Sequence, residues 1–213
     1  MSDPQVVRWE IVTIGNISRN RYWGESDDRA YRSAICTCTF ITGEGFRLLV
    51  DPSLQDEERM RVELDRRTGC ALRNVNAVFI THEHGDHHFG LKHFPEARWM
   101  AAPPVAELIN GSGQYSKPVE ATMGPLFGLI DVIATPGHCL SHHSLRFDCD
   151  GVSVVIAADA AMNRDFWNDR RGYFNSADFG LATQSIEMLA RIADIVVPGH
   201  DNYFAVRRSL LED

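Results

Sequence analysis

The stretch from Val78 to His88, VFITHEHGDHH, places His82, His84, Asp86 and His87 within six positions, directly after an apolar run. Phe79 and Ile80 belong to that run, which predicts a buried strand ending at Thr81. Where the strand stops, the potential ligands begin. His82 and His84, two apart, project to the same side of an extended backbone, and Gly85 permits a turn that brings Asp86 and His87 back toward them. Imidazoles joined by a carboxylate suit a borderline divalent cation such as Zn²⁺, and iron or manganese can occupy a His-Asp site of the same kind. A single histidine is ordinarily part of a solvated loop; four ligand-type residues behind one strand ask for a different explanation.

The same device recurs downstream. Leu126 to Thr135 reads as a strand that runs into Pro136-Gly137-His138. The almost wholly apolar run Val152 to Ala158 delivers Asp159 at its end, and a carboxylate at the tip of a buried strand needs a partner for its charge. Ile195 to Val197 ends in Pro-Gly again, at His200. Strand, break and ligand thus occur together at His82, His138, Asp159 and His200, which favours one common site over four separate accidents.

The elements that must position these residues follow from periodicity. Val6 to Ile14 predicts an opening strand. Ser33 to Thr42 and Phe46 to Val50 form a hairpin across Gly43-Glu44-Gly45, closed by Asp51-Pro52. Gln55 to Arg67 predicts a charged surface helix stopped by Gly69, and Gly85 to Phe94 a helix beneath the site, stopped by Pro95. Arg98 to Ala102 makes another strand, and Pro103-Pro104 opens a short helix over Val105 to Asn110. Residues 111–125 carry Gly, Ser and Pro without periodicity and connect the two halves. Ser144 to Phe147 and Val152 to Ala158 form a second hairpin. Asp178 caps a helix reaching Ala193, with Ala182, Ile186, Leu189 and Ala193 on one apolar face.

Two polar, aromatic-rich segments are candidates for the substrate pocket. Between Asn16 and Arg32, Tyr22, Trp23 and Tyr31 either wall a cleft or, in the case of Trp23, pin the loop to the core. From Met162 to Phe179, Arg164, Arg170 and Arg171 alternate with Phe166, Trp167, Tyr173 and Phe174. Arginines there can clamp an anion, or the segment forms a lid or a dimer contact.

Composition bounds the rest. The 213 residues suffice for one substantial core, read as a single domain over 1–213, with 44% hydrophobic and 23% charged residues. A net charge of -8 argues against a nucleic-acid partner without excluding a local basic patch, and the expected partner is a small-molecule substrate. Met1 to Gln5 lacks the pattern of an export signal and no apolar run approaches a membrane span, so no membrane association and a cytoplasmic location are expected. Five cysteines without regular spacing fit reduced thiols, with Cys36 and Cys38 as small core residues.

His82-x-His84-x-Asp86-His87, followed in order by His138, Asp159 and His200, resembles the metallo-β-lactamase-fold hydrolase superfamily in its dinuclear form. Within it, Thr135-Pro-Gly-His138, Ala158-Asp159 and the run from Ile195 to His200 are similar to the group of metallo-β-lactamase domain-containing protein 1. The resemblance implies an α+β fold, a four-layer αβ/βα sandwich of two mixed sheets with the metals at one edge. It assigns His82, His84 and His138 to a first metal, Asp86, His87 and His200 to a second, and Asp159 to both. Asp51 matches a supporting acidic position that could hold a histidine N–H; otherwise it is a turn residue before proline. Two departures stand out: Ala158 replaces the family's usual glycine before the bridging Asp159, and Phe89-Gly90 replaces a Gly-Gly pair. His142 and His143, close behind His138, match no ligand position and are left to substrate contact, support or surface.

A dinuclear site of this kind activates water for attack on a polarised carbonyl, so no nucleophilic serine or cysteine is required, and Cys139 reads as packing. Asp86 can orient the nucleophile besides ligating. The expected function is metal-dependent hydrolysis of an ester, thioester or lactone. A phosphodiesterase or ribonuclease is the alternative within the same chemistry, and a non-catalytic metal-binding interaction module is the alternative outside it.

Overall fold

The computed structural model describes residues 7–206. Val6, the first residue of the expected opening strand, and Met1 to Gln5, read for an export signal, lie outside them. Six strands form the first sheet: β1 (Arg8–Thr13), β2 (Cys38–Gly43), β3 (Phe46–Val50), β4 (Ala77–Ile80), β5 (Arg98–Ala101) and β6 (Glu120–Ala121), in spatial order 1-2-3-4-5-6. β1 to β3 pair antiparallel, and β3 to β6 run parallel. The second sheet contains β7 (Ile130–Ala134), β8 (His143–Cys149), β9 (Val152–Ala158), β10 (Ile195–Pro198) and β11 (Phe204–Ala205), in order 11-10-9-8-7. There β9 and β10 are parallel and the other pairs antiparallel.

Strand alternation builds the layers. Leu48, Val50, Phe79, Val154 and Ile156 meet in the core between the sheets. Their neighbours Leu49, Val78 and Ile80 face outward instead, onto α1 (Glu57–Thr68) through Met60 and Leu64 and onto α3 (Pro103–Gly111) through Val105 and Ile109. On the other side Val155, Ala157 and Val196 pack against Ile186 and Leu189 of α5 (Phe179–Ile192) and Trp167 of α4 (Arg164–Asn168). Strands β3, β4 and β9 thus serve two cores each, because successive side chains point to opposite faces. The result is the expected α+β sandwich of two mixed sheets between helices. Among the described residues no helix is long and apolar enough to cross a membrane.

Helix ends obey local chemistry. Asp56 accepts from Arg59 N at 2.7 Å and Asp178 from Leu181 N at 2.9 Å, capping α1 and α5, and Gly69 ends α1 in the left-handed region. The helix expected from Gly85 to Phe94 is broken into α2 (Gly85–His88) and a single turn at Leu91–His93. The reason is Gly90: its N–H leaves the helix to donate to Pro52 O at 2.8 Å, and a β-carbon there would sit 2.7 Å from Leu54 O. Two strands start later than periodicity suggests. β2 begins at Cys38, with Ile35 making only an isolated bridge to Asn16. Leu126 is bridged back to Ile130 by a turn through Phe127 and Gly128, both at positive φ, so β7 begins at Ile130.

Candidate metal centre

β7 and β9 are each antiparallel to β8, and β10 is parallel to β9, so the C-terminal ends of β7, β9 and β10 share one edge of the second sheet. The end of β4 meets them there, since His143 N at the start of β8 donates to Thr81 O at 3.0 Å. Seven side chains expected from separate segments therefore converge. His82 Nε2 and His84 Nδ1 are 3.2 Å apart, and His84 Nδ1 is 2.9 Å from His138 Nε2. Asp159 lies between this trio and the remaining histidines. Its Oδ2 is 3.1 Å from His138 Nε2 and 3.6 Å from His82 Nε2, while its Oδ1 is 3.1 Å from His87 Nε2 and 3.3 Å from His200 Nε2. Asp86 completes the second group, with Oδ2 3.6 Å from His200 Nε2.

Backbone geometry sets up each approach. Asp159 opens a single 3-10 turn after Ala158, whose φ of 44° and ψ of -135° is a conformation that L-residues rarely adopt. A β-carbon on Gly199 would collide with Asp159 Oδ1, so glycine there is what lets the His200 turn close over the carboxylate. Gly137, at φ 142°, has the same role beside α5: a β-carbon would strike Ala182, and Asp178 N donates to Gly137 O at 2.9 Å. Pro-Gly-His is thus a tight backbone contact in both occurrences.

Outer-face partners orient the imidazoles. Thr81 Oγ1 donates to Asp51 Oδ2 at 2.7 Å and so accepts from His82 Nδ1 at 3.1 Å, leaving His82 Nε2 unprotonated toward the cluster. His87 Nδ1 donates to Asp51 Oδ2 at 2.9 Å. His200 Nδ1 faces two carbonyls, Ile35 O at 2.9 Å and Asn16 O at 3.1 Å. His84 turns Nε2 toward Cys139 Sγ at 3.5 Å. Partners of this kind fix the tautomer and direction of a metal-binding histidine.

Electrostatics divides the cluster. Burial pushes His82 well below the usual histidine range and depresses His84, so both rings are neutral lone-pair donors. Burial alone would also depress His87 and His200. Around His87, Cys36, Asp159 and Asp51 outweigh it, and around His200 Asp159 does, raising both. Asp159, which burial would raise, is held well below the carboxylate range by His200, His87 and His138. His87 Nε2, His138 Nδ1 and Asp159 Oδ1 are buried without a hydrogen-bond partner; His87 Nε2 and Asp159 Oδ1 are close but misaligned. The neutral imidazoles of His82 and His84, the ionised carboxylate of Asp159 and the orphaned His87 Nε2 beside it are a donor set that fits divalent cations, which would displace the proton of His87. Three groups have ligand atoms near enough to share an ion: His82, His84, His138 and Cys139; His82, His87 and Asp159; and Asp86, His87 and His200.

A cavity of about 440 Å³ opens onto the cluster. Its floor includes His84, Asp86, His138, Asp159 and His200, and its walls include Ile17, Ala34, Phe89, Met162 and Phe174, with no lysine or arginine among the described residues in the lining. The two segments expected to shape it interlock at one side. Tyr173 Oη donates to Arg19 O at 2.9 Å and accepts from Arg19 N at 3.2 Å; Asn20 Nδ2 donates to Asp165 Oδ2 at 3.0 Å; Tyr22 packs edge-on against Phe166.

Several expectations change here. Arg164 stacks over Phe204 and Arg170 over Trp167, with Arg170 Nη1 donating to Trp167 O at 2.6 Å, and neither they nor Arg171 line the cavity. Trp23 neither walls it nor is pinned to the core: it is 64% exposed, beneath Arg32. His142 and His143 are buried rather than facing substrate. His142 bonds Thr135 Oγ1 at 2.8 Å and lies 4.9 Å, ring to ring, behind His82. Cys36 and Cys38 are core residues, as expected. The carbonyls of Asn16 and Ile35 and the anchoring role of Tyr173 carried no signal in sequence, because backbone acceptors look alike in every residue.

Comparison with known proteins points to one superfamily. Metallo-beta-lactamase domain-containing protein 1 of Mus musculus is 30% identical over 155 residues, 68% of this chain and 55% of that protein. The chain spans about half the length of the curated relatives it matches. Among solved structures, a metallo-beta-lactamase-like protein of Thermotoga maritima superposes with a TM-score of 0.71 at 19% identity, covering 94% of this chain and 99% of that one. An N-acyl homoserine lactone hydrolase, solved with product at its catalytic metal centre, gives 0.67 at 17%, covering 94% of each chain. Residues 32–200 match the sequence model of the metallo-beta-lactamase superfamily, and the chain belongs to that superfamily.

Proposed function

We propose that the chain is a dinuclear metal-dependent hydrolase, with zinc as the first candidate metal, acting on an ester, thioester or lactone of a small molecule. The carrying observation is the divided carboxylate of Asp159, one oxygen toward His82 and His138 and the other toward His87 and His200. A carboxylate so placed joins two ligand groups. His82, His84 and His138 would hold one cation, Asp86, His87 and His200 the other, and Asp159 both. Bound there, a cation pair supplies an activated hydroxide near neutral pH and polarises the scissile carbonyl.

The remaining work falls to the chain. Asp86 sits on the cavity floor with its side chain 25% exposed, placed to accept a hydrogen bond from the attacking water and orient it. Ile17, Ala34, Met162 and Phe174 exclude bulk water from the carbonyl and seat an apolar acyl group. Cys139 is no nucleophile, because burial and Glu83 push its thiol far up. The lactone hydrolase that shares the fold supports the acyl reading. Phosphodiester cleavage is disfavoured because no lysine or arginine among the described residues lines the cavity to clamp a phosphate.

Elemental analysis combined with turnover on esters, thioesters, lactones and phosphodiesters, with and without chelator, tests the proposal. Two metal equivalents with chelator-sensitive acyl cleavage are expected. Two equivalents with no acyl turnover, or turnover of phosphodiesters alone, would overturn it.

A further inference from the structure

Phe89 stands where the resemblance leads one to expect glycine, and it borders two cavities. One is the metal cavity. The other is a separate groove of about 580 Å³ that includes Lys92, Trp99, Gln114, Tyr115 and Lys117. Phe89 is the residue common to both linings. Its ring lies over Gly85, where a β-carbon would be 2.5 Å from Cε1, so the bare backbone of the ligand loop is what seats the partition.

The groove's chemistry differs from that of the cavity. Among the described residues no aspartate or glutamate lines it, although the chain carries 29 acidic residues against 21 basic. Lys117 is fixed: its Nζ donates to Pro95 O at 2.6 Å and Ala97 O at 2.7 Å and lies over the Trp99 ring, so one N–H remains. Lys92 is exposed and makes no hydrogen bond or ion pair among the described residues. It also borders a cavity of about 300 Å³ with Glu57 and Glu96, yet pairs with neither. Two ammonium groups, the side-chain amides of Gln55 and Gln114 and aromatic walls, in a volume typical of ligand sites, suit an anion at the end of an apolar chain. The groove is tied to the metal loop as well, because Tyr115 Oη donates to His88 O at 2.8 Å, one residue beyond His87.

We propose that this groove is a second substrate subsite, in which Lys92 and Lys117 hold a carboxylate or phosphate remote from the scissile bond, with Phe89 as the partition that sets the distance between anion and reacting carbonyl. The link to turnover rests on the acyl-hydrolase reading; binding of the anion does not.

Two measurements test it. Calorimetric titration of the metal-loaded protein with hexyl phosphate, hexanoate and hexanol needs no turnover. Binding of one or both anions over hexanol, weakened about tenfold or more by Lys92→Glu, is expected, the size of one charge-assisted hydrogen bond. Which anion binds more tightly tells phosphate from carboxylate. Equal binding of all three probes, or anion binding unaffected by Lys92→Glu, would overturn the subsite. In the second measurement, acetyl thioesters of alkanethiols ending in hydroxyl, carboxylate or phosphate are compared at several chain lengths. The anionic series should show the higher kcat/KM at one optimal length, a preference lost in Lys92→Ala and restored in Lys92→Arg, while the hydroxyl series is unchanged. Phe89→Ala should shift that optimal length. A preference that survives Lys92→Ala would overturn the proposal even if the hydrolase reading holds.

Discussion

Asp51 Oδ2 lies 2.9 Å from His87 Nδ1, on the side of the ring opposite the Nε2 that faces Asp159. The same carboxylate takes the Thr81 amide at 2.9 Å on Oδ1 and the Thr81 hydroxyl on Oδ2, so one buried side chain steers two of the proposed ligands, His87 directly and His82 through Thr81. Asp51 sits at φ 53°, a left-handed conformation that asparagine also tolerates. Asp51→Asn should therefore keep the backbone and lose the charge. Zinc affinity, measured by competition with a chelating dye, is expected to fall about 10- to 100-fold. An unchanged affinity would remove Asp51 from the site.

Ala158 carries backbone strain of about 1–3 kcal/mol for its φ of 44°. Ala158→Gly relieves it, at the cost of one buried methyl, about 0.8 kcal/mol, and some added freedom in the unfolded chain. The net expectation is a gain of about 0.5 kcal/mol, or about 1–2 °C in Tm by calorimetry. A lower Tm would mean that the methyl's packing outweighs the strain.

Tyr173→Phe removes the hydroxyl that joins residues 18–19 to the segment after Asp159. The Arg19 amide and carbonyl lose their partner, at about 1–3 kcal/mol. Hydrogen exchange should quicken in both segments together, and kcat/KM should fall with metal content unchanged. Faster exchange in only one segment would show that the two are not coupled through Tyr173.

His143 is buried, and burial lowers its pKa although Ser141 O at 2.7 Å opposes the shift. A depressed folded-state pKa means that the unfolded chain binds the extra proton first. The stabilising contribution is thus fully present above about pH 6.5, the unfolded value, and lost as pH falls through the folded one. Urea midpoints of the metal-loaded protein should decline below that pH, less steeply in His143→Gln than in the unaltered chain. Parallel declines would exclude His143 as a contributor.

Much of the site was legible in advance because its signals are local. Proline and glycine before His138 and His200, and the long apolar run before Asp159, announce strand ends from composition alone, and Asp56 and Asp178 announce helix starts by their own side chains. Gly85 to Phe94 misled because Gly90 answers to a carbonyl 38 residues earlier, Pro52 O, which no local pattern can register. The arginines of the 162–179 segment misled for a related reason: a long side chain has many directions, and packing against Phe204 and Trp167 chose ones away from the cavity.

What the sequence determined by itself is the inventory: which ligand atoms exist, that each stands where a strand breaks, and that glycine is available where backbone must pass close. Only the tertiary structure decided which oxygen of Asp159 faces which histidines, that the carbonyls of Asn16 and Ile35 orient His200, and that Phe89 borders both a cavity floored by Asp86 and Asp159 and a basic groove. These relations depend on sheet register and on side chains brought together from distant positions, and ligand direction is a property of that packing, not of spacing along the chain.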